Sequence, residues 1–122
     1  MRYFLTLILT LSSILVRSQI ITNWAGNGID SNFGDGGMAT NAGIYYPIGG
    51  VFDKNGNYYC AEGIYGNRIR KISSSGIITT VVGTGEAGFS GDGGTATSAK
   101  LNNPQFVTVD TIGNIYIYIR CR

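Results

Sequence analysis

Few side chains in this chain have the type and spacing to do chemistry. Arg68, Arg70 and Lys71 form one basic cluster. Such a cluster could recognise a phosphate, an acidic glycan or RNA. Asp35 and Asp92 each stand in a Gly-Asp-Gly-Gly segment, where a carboxylate could meet a ligand or a cation from a loop. Residues 83–88 (GTGEAG) match the G-x-G-x-x-G dinucleotide fingerprint. Asp53, Asn55 and Asn57 place oxygen-bearing side chains at alternate positions, as calcium loops do. Histidine is absent. That removes a histidine base, a histidine metal ligand and a Ser-His-Asp triad together. No catalytic residue, cofactor site or metal site is expected.

Each motif also has a structural reading, and its surroundings decide. The fingerprint needs a helix opening at its third glycine, so that helix amides meet the pyrophosphate. Residues 89–94 (FSGDGG) are hostile to a helix, so this stretch is expected to be a loop. An EF-hand loop needs glycine at its sixth place and a distant glutamate. Here glycine is fourth and a strand pattern begins at once, so a hairpin turn is expected. Asp35 and Asp92 could accept local amides in Asx-type turns, a role that their shared setting favours. The basic cluster could be a polar strand face balanced by carboxylates.

The N-terminus changes the charge count. Met1 and Arg2 precede fourteen uncharged residues, 3–16 (YFLTLILTLSSILV), and Arg17, Ser18 and Gln19 follow. That run is short of the ~20 residues that cross a bilayer. It suits a secretory signal peptide over residues 1–18, cut after Ser18. No other stretch could span a membrane, so the expected location is extracellular, with no span after cleavage. Arg2 and Arg17 belong to the leader, so the formal charge of +2 falls to zero over residues 19–122. Nucleic acid is therefore not an expected partner, because its binders carry a basic excess. Cys60 lies in a strand pattern and is expected to be a buried thiol rather than bridged to Cys121.

Shifted by 57 positions, the chain matches itself. Of the 44 residues from 20 to 63, 17 equal their counterparts without a gap. The matches include residues 34–37 with 91–94, Pro47 with Pro104, Asp53 with Asp110 and Tyr59 with Tyr116. The chain is thus a duplicated unit, repeat one at 20–76 and repeat two at 77–122. Within it, residues 48–53, 57–61, 68–73 and 77–82 read as strands joined by short turns, Asn55-Gly56 being a strong hairpin signal. Alternation sets Ile69 on one face of its strand and Arg68 and Arg70 on the other. Residues 106–110 and 114–119 are the strands of repeat two, and residues 20–25 read as a lone outer strand. Residues 96–101 are expected to turn helically and pack Leu101 on the sheet. Four strands in sequence at a fixed period describe one blade of a propeller.

Residues 66–81 (GNRIRKISSSGIITTV) and 78–117, with their Gly-Asp-Gly-Gly and Asp-x-x-Gly-Asn segments, resemble NHL repeats of the long-loop type. The resemblance covers about residues 20–120. It implies an all-β fold, a partial β-propeller over residues 19–122 with about two NHL-type repeats of four-stranded antiparallel blades. The second is truncated, since repeat two reaches Arg122 before an Arg-Ile-Arg strand of its own. The family's acidic residue after the "IY" strand is Glu62 in repeat one, but Ile119 stands there in repeat two. Propellers close with about 4–8 blades, so missing blades or self-assembly are expected, and a fragment of a longer propeller is favoured. The resemblance implies a secreted, non-catalytic scaffold for a protein or glycan partner, with Asp35, Asp92, Arg68, Arg70 and Lys71 as candidate contacts. Two alternatives stand beside it. One is part of a propeller enzyme, a lyase or lactonase-like hydrolase whose site lies in other blades. The other is a non-functional remnant.

Overall fold

The computed structural model describes residues 19–120. The expected leader (1–18) and Cys121 lie outside the described residues. Short β-rich runs between glycine turns give six strands. They are β1 (Pro47–Phe52), β2 (Tyr58–Glu62), β3 (Arg68–Ile72), β4 (Ile78–Val82), β5 (Pro104–Val109) and β6 (Ile115–Ile119). Strands β1 to β4 form one antiparallel sheet in chain order, and β5 and β6 form a two-stranded hairpin. Single 3-10 turns occupy Ala39–Asn41 and Ala96–Ser98. The fold is therefore all-β, a partial propeller with one full blade and half of another.

The hairpin turns follow from one aspartate each. Asp53 Oδ1 accepts the amides of Asn55 (2.8 Å) and Asn57 (2.9 Å), and Oδ2 accepts the Asn57 side-chain amide (2.8 Å). Asp110 repeats the set with Ile112 (3.1 Å) and Asn114 (2.8 Å for both its amides). Gly56 and Gly113 take the positive φ that the turn requires, 81° and 95°. Asn57 bonding, its side-chain amide foremost, holds the Asp53 carboxyl below the usual carboxylate range. The alternating oxygens at 53, 55 and 57 thus serve a turn.

A blade has two apolar faces, and each needs cover. One face carries Tyr59, Ala61, Ile69 and Val82, and the β5–β6 hairpin stacks on it through Val107, with Leu101 in the same cluster. Leu101 follows the 3-10 turn, as the sequence led one to expect. The other face carries Ile72 and Ile78 and packs on Ala39, Ala42 and Ile44 from the glycine-rich loop. That loop also extends the sheet: Gly36 N donates to Ile78 O (2.8 Å), Ile78 N to Gly37 O (3.0 Å) and Ala39 N to Gly76 O (2.8 Å). The second loop is built alike. Gly26 N to Ala39 O (2.8 Å) recurs as Gly83 N to Ala96 O (3.0 Å), and Gly37 N to Gly34 O (3.1 Å) as Gly94 N to Gly91 O (3.0 Å). No helix opens at Gly88.

Residues 20–25 are not a strand, contrary to the sequence expectation. Their counterpart lies in β4, which pairs with β3. No described strand lies beside residues 20–25, and β propensity without a partner leaves Ile20 and Ile21 exposed.

The loop depends on glycine where its backbone is crowded, at Gly34 and Gly43. At Gly34 (φ 94°) a Cβ would meet Ala42 Cα at 2.8 Å, whereas at Gly36 (φ 86°) it would meet open space. Gly36→Ala is expected to cost about 1 kcal/mol from backbone strain alone. Gly34→Ala is expected to cost roughly 1–3 kcal/mol more, through overpacking. Urea unfolding of the two variants checks the order.

Candidate functional site

Strand alternation sends Lys71 to one face, where its ammonium lies 5.6 Å from the Tyr59 ring centre. It sends Arg68 and Arg70 to the other, which the loop from residue 31 to 43 covers. Arg70 is consequently out of water. Its Nη1 donates to Glu62 Oε1 (3.1 Å) and Gly43 O (3.2 Å). Its Nη2 meets Asp35 Oδ1 (2.8 Å) and donates to Phe33 O (3.3 Å). The Glu62 side chain is equally buried, while Asp35 stays half exposed. Glu62 Oε1 also accepts the Tyr45 amide (3.1 Å). Asn32, its amide nitrogen turned to the carboxylate, donates to both Glu62 oxygens (3.2 and 2.5 Å). Burial pushes the Glu62 pKa up, and the Arg70 cation only partly opposes it. Burial, aided by Glu62, pushes the Cys60 thiol up to about 12. Cys60 is a buried free thiol, neutral and unreactive.

The five residues singled out from the sequence do not form one patch. Asp35 and Arg70 meet as an ion pair, and Asp35 accepts no local amide among the described residues, so the Asx-turn reading gives way to a long-range tie. Arg68 Nη2 donates to Thr84 O (3.0 Å) and shares with Asp35 a shallow polar hollow of about 470 Å³, lined also by Thr80, Thr84 and Thr97. Lys71 lies across the sheet from both arginines. Asp92 stands exposed in the second loop.

Sequence reasoning missed a different feature on the Arg70 face. An apolar groove of about 560 Å³ runs over β1 and β2, lined by Trp24, Ala25, Ile44, Ile48, Tyr58 and Cys60 among others. Trp24 stands 5.4 Å from Tyr58, edge to face, and 5.9 Å from Phe52. Trp24 is 49% exposed and Phe52 59%. The repeat explains why. The counterparts of Gly50, Phe52, Tyr58 and Cys60 are Val107, Val109, Ile115 and Ile117, which pack against the first blade. The groove is the same blade surface with no described blade stacked on it. A second aromatic group, Tyr45, Tyr46 and Tyr65, has ring centres 5.1–5.8 Å apart. Such surfaces suit contact with another macromolecule. Among the described residues, no three Cys, Asp or Glu side chains converge as a metal site would need.

Comparison with known proteins agrees with this architecture. The family model for the Teneurin NHL domain matches residues 25–90. Teneurin-1 of Gallus gallus is 37% identical over 89 residues, covering 69% of this chain and 3% of that protein. Teneurin-3 of Mus musculus is 39% identical over 57 residues, covering 47% of this chain and 2% of that protein. The chain thus spans a small part of the length of these relatives. A crystal structure of a Bacteroides thetaiotaomicron protein of unknown function superposes with a TM-score of 0.69 at 28% identity, over 78% of this chain and 24% of that one.

The buried carboxyl gives a test by pH. Glu62 has a higher pKa folded than unfolded, so the folded chain holds its proton more tightly. Its stability contribution relative to Glu62→Gln is full below the ordinary value of about 4.5 and is lost as pH rises through the folded value. Urea unfolding between about pH 4 and 7 is expected to show the wild-type advantage over this variant falling with pH. An advantage that is flat or rising with pH contradicts the reading.

Proposed function

This chain belongs to the Teneurin NHL domain family, and from that premise we propose that it is a secreted, non-catalytic scaffold that binds a protein partner. The observation that carries the reading is the open groove around Trp24, Phe52 and Tyr58. Large aromatic side chains at a desolvated centre supply most of the energy of protein interfaces. An apolar groove of this size with few polar groups favours a protein surface over a glycan. The charged groups beside it support a binding role as well. Glu62 and Arg70 are committed to each other, Arg70 also to the Gly43 carbonyl and Glu62 to the Tyr45 amide, and Cys60 is a neutral thiol, so the groove carries no activated nucleophile. The leader pattern at residues 1–18 supports secretion.

Expression of the full chain in a secretory host tests both parts. The protein in the medium is expected to begin at Gln19. Screening it against extracellular domains is expected to give a binder whose affinity drops by roughly thirtyfold for Trp24→Ser or Phe52→Ser, the size of an aromatic hot spot. Trp24 is the single tryptophan, so binding there will also shift its emission to the blue. Retention of an uncleaved chain contradicts the secretory part. Binding indifferent to Trp24 and Phe52 contradicts the assignment to the groove.

A further inference from the structure

Arg68 is held in place but not neutralised. Its Nη2 donates to Thr84 O (3.0 Å), and its guanidinium lies against Gly85, where a Cβ would come 2.5 Å from Nη2. Arg70, by contrast, has both Glu62 and Asp35. Among the described residues Arg68 forms no ion pair, and its Nη1 makes no hydrogen bond. This cation stands in the hollow of about 470 Å³ with Asp35, Thr80, Thr84 and Thr97. Asp35 meets Arg70 through Oδ1 and stays half exposed, so its other oxygen remains free to accept. Two polar atoms of the lining residues, Arg68 Nε and Thr80 Oγ1, are buried with no hydrogen-bond partner. Native proteins leave few polar atoms in that state, and bound solvent or ligand is one of the reasons they do.

Both repeats supply walls of this hollow: Asp35 and Arg68 come from repeat one, Thr80, Thr84 and Thr97 from repeat two. The duplication shows that a blade stacked on the other side of repeat one leaves it open. The end of the first blade, at Gly83 and Thr84, donates to Ala96 O and Ala99 O (3.0 Å each), and Leu101 packs into the blade's cluster. Asp92, the counterpart of Asp35, stays exposed beside these contacts. The matching positions in the loop of repeat one are Ala39, Ala42 and Ile44, not Asp35.

We propose that the hollow binds a hexuronic acid unit, a sugar that carries one carboxylate and several hydroxyls. Its carboxylate pairs with the Arg68 guanidinium in a charge-assisted hydrogen bond. Its ring hydroxyls donate to the free oxygen of Asp35 and exchange hydrogen bonds with Thr84 and Thr97. The mixed lining selects this class. Phosphate or sulfate would meet Arg68 but be repelled by Asp35. A neutral sugar would satisfy Asp35 and the threonines but leave the cation unpaired. The site does not use the Trp24 groove and stands apart from the protein-binding reading given above.

The test titrates the full chain with methyl β-D-glucuronide, methyl β-D-glucoside, inorganic phosphate and glycine. Amide NMR gives both affinity and location. Saturable binding of the glucuronide is expected, with shifts concentrated at Asp35, Arg68, Thr80, Thr84 and Thr97. The glucoside on the wild-type chain, and the glucuronide on Arg68→Gln, are each expected to bind roughly tenfold more weakly, the size of one hydrogen bond to a charged group. Trp24 emission is expected to stay constant throughout, which separates this site from the groove. Four results overturn the proposal: no saturable binding, equal affinity for the glucoside, tighter binding of phosphate or glycine, and shifts centred on Trp24. Should Arg68→Gln fail to fold, the comparison of glucuronide with glucoside on the wild-type chain still decides.

Discussion

Arg70 carries a charge that the blade takes out of water, and an unpaired buried charge costs several kcal/mol even after relaxation. Its position is tolerable because four acceptors converge on it: two carboxylates, Glu62 and Asp35, and two backbone carbonyls, Phe33 and Gly43. These partners come from a strand and a distant loop, so one side chain ties the loop to the sheet. The tie propagates. The loop that Arg70 holds accepts the Gly26 and Asn27 amides at Ala39 O and Ala42 O, at 2.8 and 3.0 Å. Those bonds set Trp24 beside Tyr58 and Phe52. The aromatic groove thus rests, through a short chain of contacts, on the buried guanidinium of Arg70.

A second constraint is the two-sided nature of a blade. The face toward repeat two is closed by aliphatic packing around Ile69 and Val107. The opposite face is closed over β3 and β4 by the loop and, among the described residues, left open over β1 and β2. Where repeat two presents Val107, Val109, Ile115 and Ile117 to a neighbour, repeat one presents Gly50, Phe52, Tyr58 and Cys60. Small residues and aromatics in place of β-branched aliphatics make a recessed, aromatic-rimmed surface from the same backbone. The duplication therefore shows both what a covered blade looks like and how this one differs.

Much of this was legible in the sequence. Glycine turns, apolar alternation and the 57-residue period located all six strands, the Asp53 and Asp110 turns, and Leu101 on the sheet. The burial of Arg70 was not legible, because alternation tells which residues share a face and not whether that face meets water. The glycine-rich loop that covers it is distant in sequence, and Gly43 lets its backbone come close. Asp35 was read as a local cap for the same reason, since its partner lies 35 residues away. The groove was hidden because it depends on which blade faces are stacked, and residues 20–25 failed as a strand for want of a neighbour. Local pattern determined the elements, while long-range covering determined the site.

The central claim is that Arg70 pins the loop to the blade. Amide hydrogen exchange of Arg70→Met against wild type tests it most directly, since methionine keeps the apolar stem and removes the charge. The account predicts selective loss of protection at Asn27, Gly36, Ala39 and Ala42, with the amides of the β5–β6 hairpin retaining theirs. Unchanged protection across residues 26–42 would contradict it.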